Sequence, residues 1–138
     1  MNRLSKGKIL AGGFGVNGDV RVGGELSATR SAVTIADGTS MVASAASIMT
    51  NTIASATPTA ARNVTTGTAV DIIALAEGYS VGDTTQFTLI NLAAATHALT
   101  VVGGTGVTIV GSATVSAASS ASYYVRIASA TTVVLYRK

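Results

Sequence analysis

The chain has 138 residues, no cysteine, a net charge of +3 and only 11% charged residues. That length suits one domain, and the missing cysteine excludes disulfide scaffolds, thiolate metal sites and thiol nucleophiles. Ala, Gly, Ser and Thr make up more than half of the sequence, yet Val, Ile and Leu are plentiful enough to exclude a disordered composition.

Residues 1–30 are Gly-rich and carry five of the nine basic residues, Arg3, Lys6, Lys8, Arg21 and Arg30. The basic start and the weak apolar run Ile9-Leu10-Ala11 lack a cleavage pattern, so a secretory signal is not expected. No apolar stretch reaches the length of a membrane span. Val16, Val20 and Val22 suit one face of an edge strand, with Asn17-Gly18-Asp19 as a turn or bulge. We read residues 1–30 as an extended arm that gains order on a neighbour, and residues 31–138 as the body.

The body opens with a strand, Ala32-Val33-Thr34-Ile35, and a turn at Asp37-Gly38. Residues 41–57 are ambiguous: Met41, Ala45, Ile48 and Met49 fit a short helix, whereas residues 48–53 fit a strand. Pro58 ends either element. A strand over residues 62–66 precedes a short helix over residues 69–77, with Ile72, Ile73 and Ala76 on one side and Gly78 at the stop position.

From residue 85 onward the period is two. Phe87 and Leu89 share a face opposite Gln86 and Thr88; Leu99 pairs with Val101, and Val107 with Ile109. Val115 is flanked by Ala113 and Ala117. Tyr123, Val125 and Ile127 oppose Tyr124 and Arg126, and Val133 and Leu135 alternate with Val134 and Tyr136. The connections are short, which implies antiparallel hairpins. The expected fold class is therefore all-β: an antiparallel β-sandwich or jelly-roll-like body with an extended Gly-rich N-terminal arm and at most one short helix.

The chemistry of catalysis is thinly represented. His97 is the only histidine, and no nucleophile-elbow sequence accompanies it. The six carboxylates, Asp19, Glu25, Asp37, Asp71, Glu77 and Asp83, show no calcium-loop spacing. Gly103-Gly104-Thr105-Gly106 and Gly12-Gly13-Phe14-Gly15 both lack the lysine of a phosphate loop and read as turns. Asn63-Val64-Thr65 matches a glycosylation acceptor without a secretory context. We expect no enzyme, no cofactor and no metal site. The basic residues are too dispersed for a nucleic-acid interface, and docking onto an acidic protein surface accounts for them.

A surface so poor in charge is weakly protected against association, so the chain is expected to bury part of its exterior. Tyr124, Arg126, Val134 and Tyr136 fall on the face of the last hairpin opposite the core. Tyr and Arg are favoured at interfaces, which makes these four the candidate subunit contact.

Several strings carry a family likeness: Thr57-Pro58-Thr59-Ala60-Ala61-Arg62, Val81-Gly82-Asp83, Gln86-Phe87-Thr88-Leu89-Ile90-Asn91, Gly104-Thr105-Gly106-Val107-Thr108-Ile109-Val110-Gly111, Tyr124-Val125-Arg126-Ile127 and Val133-Val134-Leu135-Tyr136-Arg137. Over roughly residues 55–138 the chain resembles small structural proteins of tailed bacteriophages, met mostly in phages of cyanobacteria and other aquatic bacteria. The resemblance implies a virion component, commonly trimeric. The short length favours a capsid decoration (cement) protein on the capsid exterior, bound to the major capsid protein and present in the host cytoplasm before assembly. The alternative is a tail-fibre or receptor-binding module. On the decoration reading the arm residues Arg3, Lys6, Lys8, Phe14 and Arg21 are the candidate capsid contacts.

Overall fold

The computed structural model describes residues 32–49 and 52–138. Ten strands and two short helices follow one another: β1 (Ala32–Thr34), β2 (Met41–Ala43), α1 (Ala45–Met49), β3 (Ile53–Ala56), β4 (Arg62–Thr66), α2 (Ala69–Ala74), β5 (Thr84–Asn91), β6 (Leu99–Val102), β7 (Val107–Val110), β8 (Thr114–Val115), β9 (Ser119–Ile127) and β10 (Val133–Arg137). They form a six-stranded sheet in the order β1-β3-β5-β9-β10-β7 and a four-stranded sheet in the order β2-β4-β6-β8.

From β1 to β6 the chain alternates between the two sheets. Within the first sheet β1, β3 and β5 are successive parallel neighbours, and within the second β2, β4 and β6 are as well. The backbone therefore winds as three stacked coils, each giving one strand to each sheet. Each return to the first sheet passes through a helix in the first two coils. Ser44 caps α1 through its hydroxyl, which accepts from the Ser47 amide at 3.2 Å. Thr68 caps α2 in the same way, accepting from the Asp71 amide at 3.2 Å.

Backbone hydrogen bonds join the coils beyond the strand ends. The Ile35 amide donates to the Ser55 carbonyl, Leu92 to Ala56 and Gly67 to Ala43, at 2.8–2.9 Å. At the corner above Gly67 a side chain takes over, and the Gly104 amide donates to Thr66 Oγ1 at 2.8 Å. The corners of the first two coils are also tied by side chains. Asp37 accepts from the Thr59 amide at 3.1 Å, from the Thr59 hydroxyl, and from Arg62 Nε at 3.0 Å. The Thr59 hydroxyl, and after it the Arg62 guanidinium, hold the Asp37 carboxyl down at about 2.

After β7 the chain reverses. β8 runs antiparallel to β6, and β9 inserts between β5 and β10, antiparallel to both. The core is one cluster drawn from both sheets and both helices. Ala43, Ala54, Ala56 and Ala69 are fully buried beside Ile48, Ile72, Leu89 and Leu135, so alanine is a core residue here because the coils are narrow. Phe87 and Tyr123 stack with centroids 6.3 Å apart. Asn91, 1% exposed, supports the corner of the third coil. Its Nδ2 donates to the carbonyls of His97 and Val115 at 2.8 and 3.0 Å, and its Oδ1 accepts from the Ala93 amide at 3.0 Å. That pairing is what allows an amide to be buried.

This architecture corrects the expected antiparallel sandwich or jelly roll. Both sheets are mixed, parallel pairing builds the coils, and the described residues hold two helices where at most one was expected. The error has a physical source. A short connection implies an antiparallel hairpin only when it joins neighbours in one sheet. Here the short connections lead from one sheet to the other, and the parallel partner arrives a whole coil later: Ala32 pairs with Ile53, and Ile53 with Thr88. Among the described residues only β9 and β10 are consecutive strands that pair with each other. The ambiguous residues 41–57 divide into a strand, a helix and a second strand. The helix after Thr68 is shorter than expected, and Gly78 at φ +79° lies beyond it. The proposed arm, residues 1–30, lies outside the described residues.

Two substitutions test the coil. Gly106 has φ +77°, and a Cβ there meets the Thr131 carbonyl oxygen at 2.6 Å and Ala69 Cβ at 2.9 Å. Gly106→Ala is expected to lower the unfolding free energy by more than about 1 kcal/mol, read as a fall in urea midpoint. For Asp37 the folded value is depressed, so its contribution is complete above the ordinary value of 3.8 and is lost as pH falls through about 2. Asp37→Asn is expected to unfold at lower urea than the parent at pH 7, with the two midpoints converging as the pH approaches 2.

Candidate interaction surface

Period two along β9 and β10 sends alternate side chains to opposite faces of the first sheet. Tyr123, Val125 and Ile127 enter the core with Val133 and Leu135. Tyr124, Arg126, Val134 and Tyr136 take the outer face. Pairing places Tyr124 opposite Tyr136 and Arg126 opposite Val134, so the four form one contiguous patch.

The patch extends across four strands. Gln86, Tyr124, Tyr136 and Val110 lie side by side on β5, β9, β10 and β7, and Thr84, Arg126, Val134 and Thr108 form the next row. Tyr124 is 42% exposed and Val110 is 44% exposed. The Lys138 ammonium lies 4.8 Å from the Tyr124 ring centroid, a cation–π contact at the patch edge. A shallow depression of about 170 Å³ is lined by Thr84, Thr85, Gln86 and Tyr124.

The two arginines of this region have different surroundings. Arg137 packs over the Tyr123 ring at 5.5 Å, and its Nη1 donates to Tyr123 Oη and the Thr114 carbonyl, both at 3.4 Å. Arg126 is exposed and has no ion pair among the described residues, where the one salt bridge is Arg62–Asp37. An aromatic and aliphatic surface carrying an uncompensated guanidinium suits a protein contact. Tyr supplies area at low entropic cost, and Arg supplies directional donors.

The sequence identified the four central residues through alternation. It did not bring Gln86 and Val110 to them, because those adjacencies depend on β9 pairing with β5 and on β10 pairing with β7. The arm residues Arg3, Lys6, Lys8, Phe14 and Arg21 lie outside the described residues. His97 sits at the β5–β6 corner, half-buried, with its amide donating to the Ala95 carbonyl at 2.9 Å. Among the described residues no group of three His, Asp or Glu side chains is placed to hold a metal ion. Gly103-Gly104-Thr105-Gly106 is the corner between β6 and β7.

The facing of β9 is directly testable. Tyr124→Ala is expected to change the unfolding free energy by less than about 1 kcal/mol. Tyr123→Ala, which empties the core beside Phe87, is expected to cost about 3–5 kcal/mol in the same denaturation measurement.

Comparison with known proteins finds no matching family model, no matching curated protein and no matching solved structure.

Proposed function

We propose that this chain is a virion structural protein: a capsid decoration, or cement, protein that stabilises a phage head by bridging capsid subunits as a trimer. The observation that carries the reading is the contiguous Tyr124–Arg126–Val134–Tyr136 face on a body with few charges. Burying that face between copies removes apolar and aromatic area from water. The trimer itself comes from the likeness to phage structural proteins. Arg3, Lys6 and Lys8 are the residues proposed to meet an acidic capsid surface. Three joined copies bind with a strength that one weak contact lacks, because each bound copy raises the effective concentration of the others.

A second reading has an observation of its own. Parallel coils stack along an axis and are extendable, which suits a module of a tail fibre or receptor-binding protein.

Immunogold labelling of intact particles separates the two. Decoration predicts many copies over the head, whereas a fibre module predicts a few at the tail. For the interface, Tyr124→Glu with Tyr136→Glu is expected to turn an oligomer into monomers by light scattering, with an unchanged circular dichroism spectrum. A parent chain that is already monomeric and binds no shell removes the decoration reading.

A further inference from the structure

Large apolar side chains left exposed are concentrated along α2 and the loop that follows it. Val70, Leu75, Tyr79 and Val81 are between 40 and 63% exposed, and they are four of the ten such residues among those described. Helix spacing accounts for the first two. Ala69 and Ile72 face the core, so Val70, Asp71, Ala74 and Leu75 take the opposite side as two pairs four residues apart. Turns then keep the chain against the helix end. The Ala76 amide donates to the Ile73 carbonyl at 3.0 Å, and the Tyr79 amide to the Ala76 carbonyl at 3.1 Å. Grouped apolar exposure of this kind marks a contact surface.

Its charge is opposite to that of the outer patch. Residues 69–83 contain Asp71, Glu77 and Asp83 and no lysine or arginine. Asp71 accepts from the Thr68 hydroxyl at 2.7 Å, and Asp83 from the Ser80 amide at 2.7 Å. Glu77 is exposed, and none of the three has an ion pair among the described residues. The patch is the converse. β5, β7, β9 and β10 contain no acidic residue, and Arg126 and Lys138 stand beside its tyrosines.

We propose that the Tyr124–Arg126–Val134–Tyr136 patch of one copy docks on the α2 surface of a second copy, formed by Val70, Leu75, Glu77, Tyr79 and Val81. The inference rests on the patch being a subunit contact and names what it touches. Two patches set face to face bring two Arg126 and two Lys138 side chains into one contact with no carboxylate to offset them, and like charges oppose that pairing. The α2 surface instead offers apolar area together with a carboxylate acceptor for the guanidinium. Its placement fits as well. α2 packs against α1 and β10, and Ile72 shares the core with Val133 and Leu135. The helix is therefore on the inner side of the sheet whose outer side carries the patch. Two different surfaces on different sides of the molecule make a head-to-tail contact, which closes into a ring or runs on as a filament. The smallest such ring has three members, so the trimer no longer depends on the family likeness alone.

Two double variants of the full-length chain test the pairing. Tyr124→Glu with Tyr136→Glu disables the patch, and Leu75→Arg with Glu77→Arg disables the α2 surface. Leu75 and Glu77 are exposed, so the circular dichroism spectrum is expected to match that of the parent. Each variant alone is expected to sediment as a monomer. Mixed in equal amounts, they are expected to form a 1:1 dimer at least about tenfold tighter than either forms with itself, because the mixture holds one intact patch and one intact α2 surface. An α2 variant that associates as the parent does overturns this pairing and leaves the patch as a contact of another kind. Monomeric variants that stay apart when mixed overturn it too. A patch variant that associates as the parent does, or a parent that is itself monomeric, removes the subunit contact and the pairing with it.

Discussion

The constraint on which this structure depends is parallel backbone pairing between successive coils. Each coil hydrogen-bonds to the next in two sheets at once, so its strands cannot shift register in one sheet without shifting in the other. A one-residue slip turns every inward side chain outward. The Met41–Val64–Val101 row on one side and the Ala54–Leu89–Ala121 row on the other both oppose such a slip. The composition follows from the same constraint. Coils that bring two sheets and a helix together leave little width, and Ala43, Ala54, Ala56 and Ala69 fill it completely. Gly67 and Gly104 lie where backbone meets backbone: a Cβ at Gly67 meets the Ala45 amide nitrogen at 2.8 Å, and one at Gly104 meets the Thr66 carbonyl oxygen at 2.6 Å.

Chain reversal after β7 is what creates the outer patch. β9, nine residues long, pairs with the full length of β5 and with β10. Two long neighbouring strands give continuous rows of side chains on both faces. The inner rows are occupied by Phe87, Tyr123, Val125 and Leu135, while the outer rows receive tyrosine, arginine and valine. The stacking that buries Tyr123 and the alternation that exposes Tyr124 are one geometric fact, because adjacent residues of a strand face opposite ways.

Period two was legible in the sequence wherever a strand had one wet face. Leu99 and Val101, Tyr123, Val125 and Ile127, and Val133 with Leu135 all lie inward as their alternation indicates. Sheet membership was not legible. The corner after β5 and the loop after β9 read alike as short connections, yet the first crosses between sheets and the second closes a hairpin. What distinguishes them is the position of partners a coil away in sequence, which local periodicity does not encode. Asn91 illustrates a second blind spot. Nothing in its alternation marks it, but its amide is buried because the corner carbonyls of His97 and Val115 converge on it. The Asp37–Arg62 pair is a third, since the two residues meet only when one coil lies on the next. Of the proposed interface, the four central residues came from alternation, and the rows that extend them came from strand order.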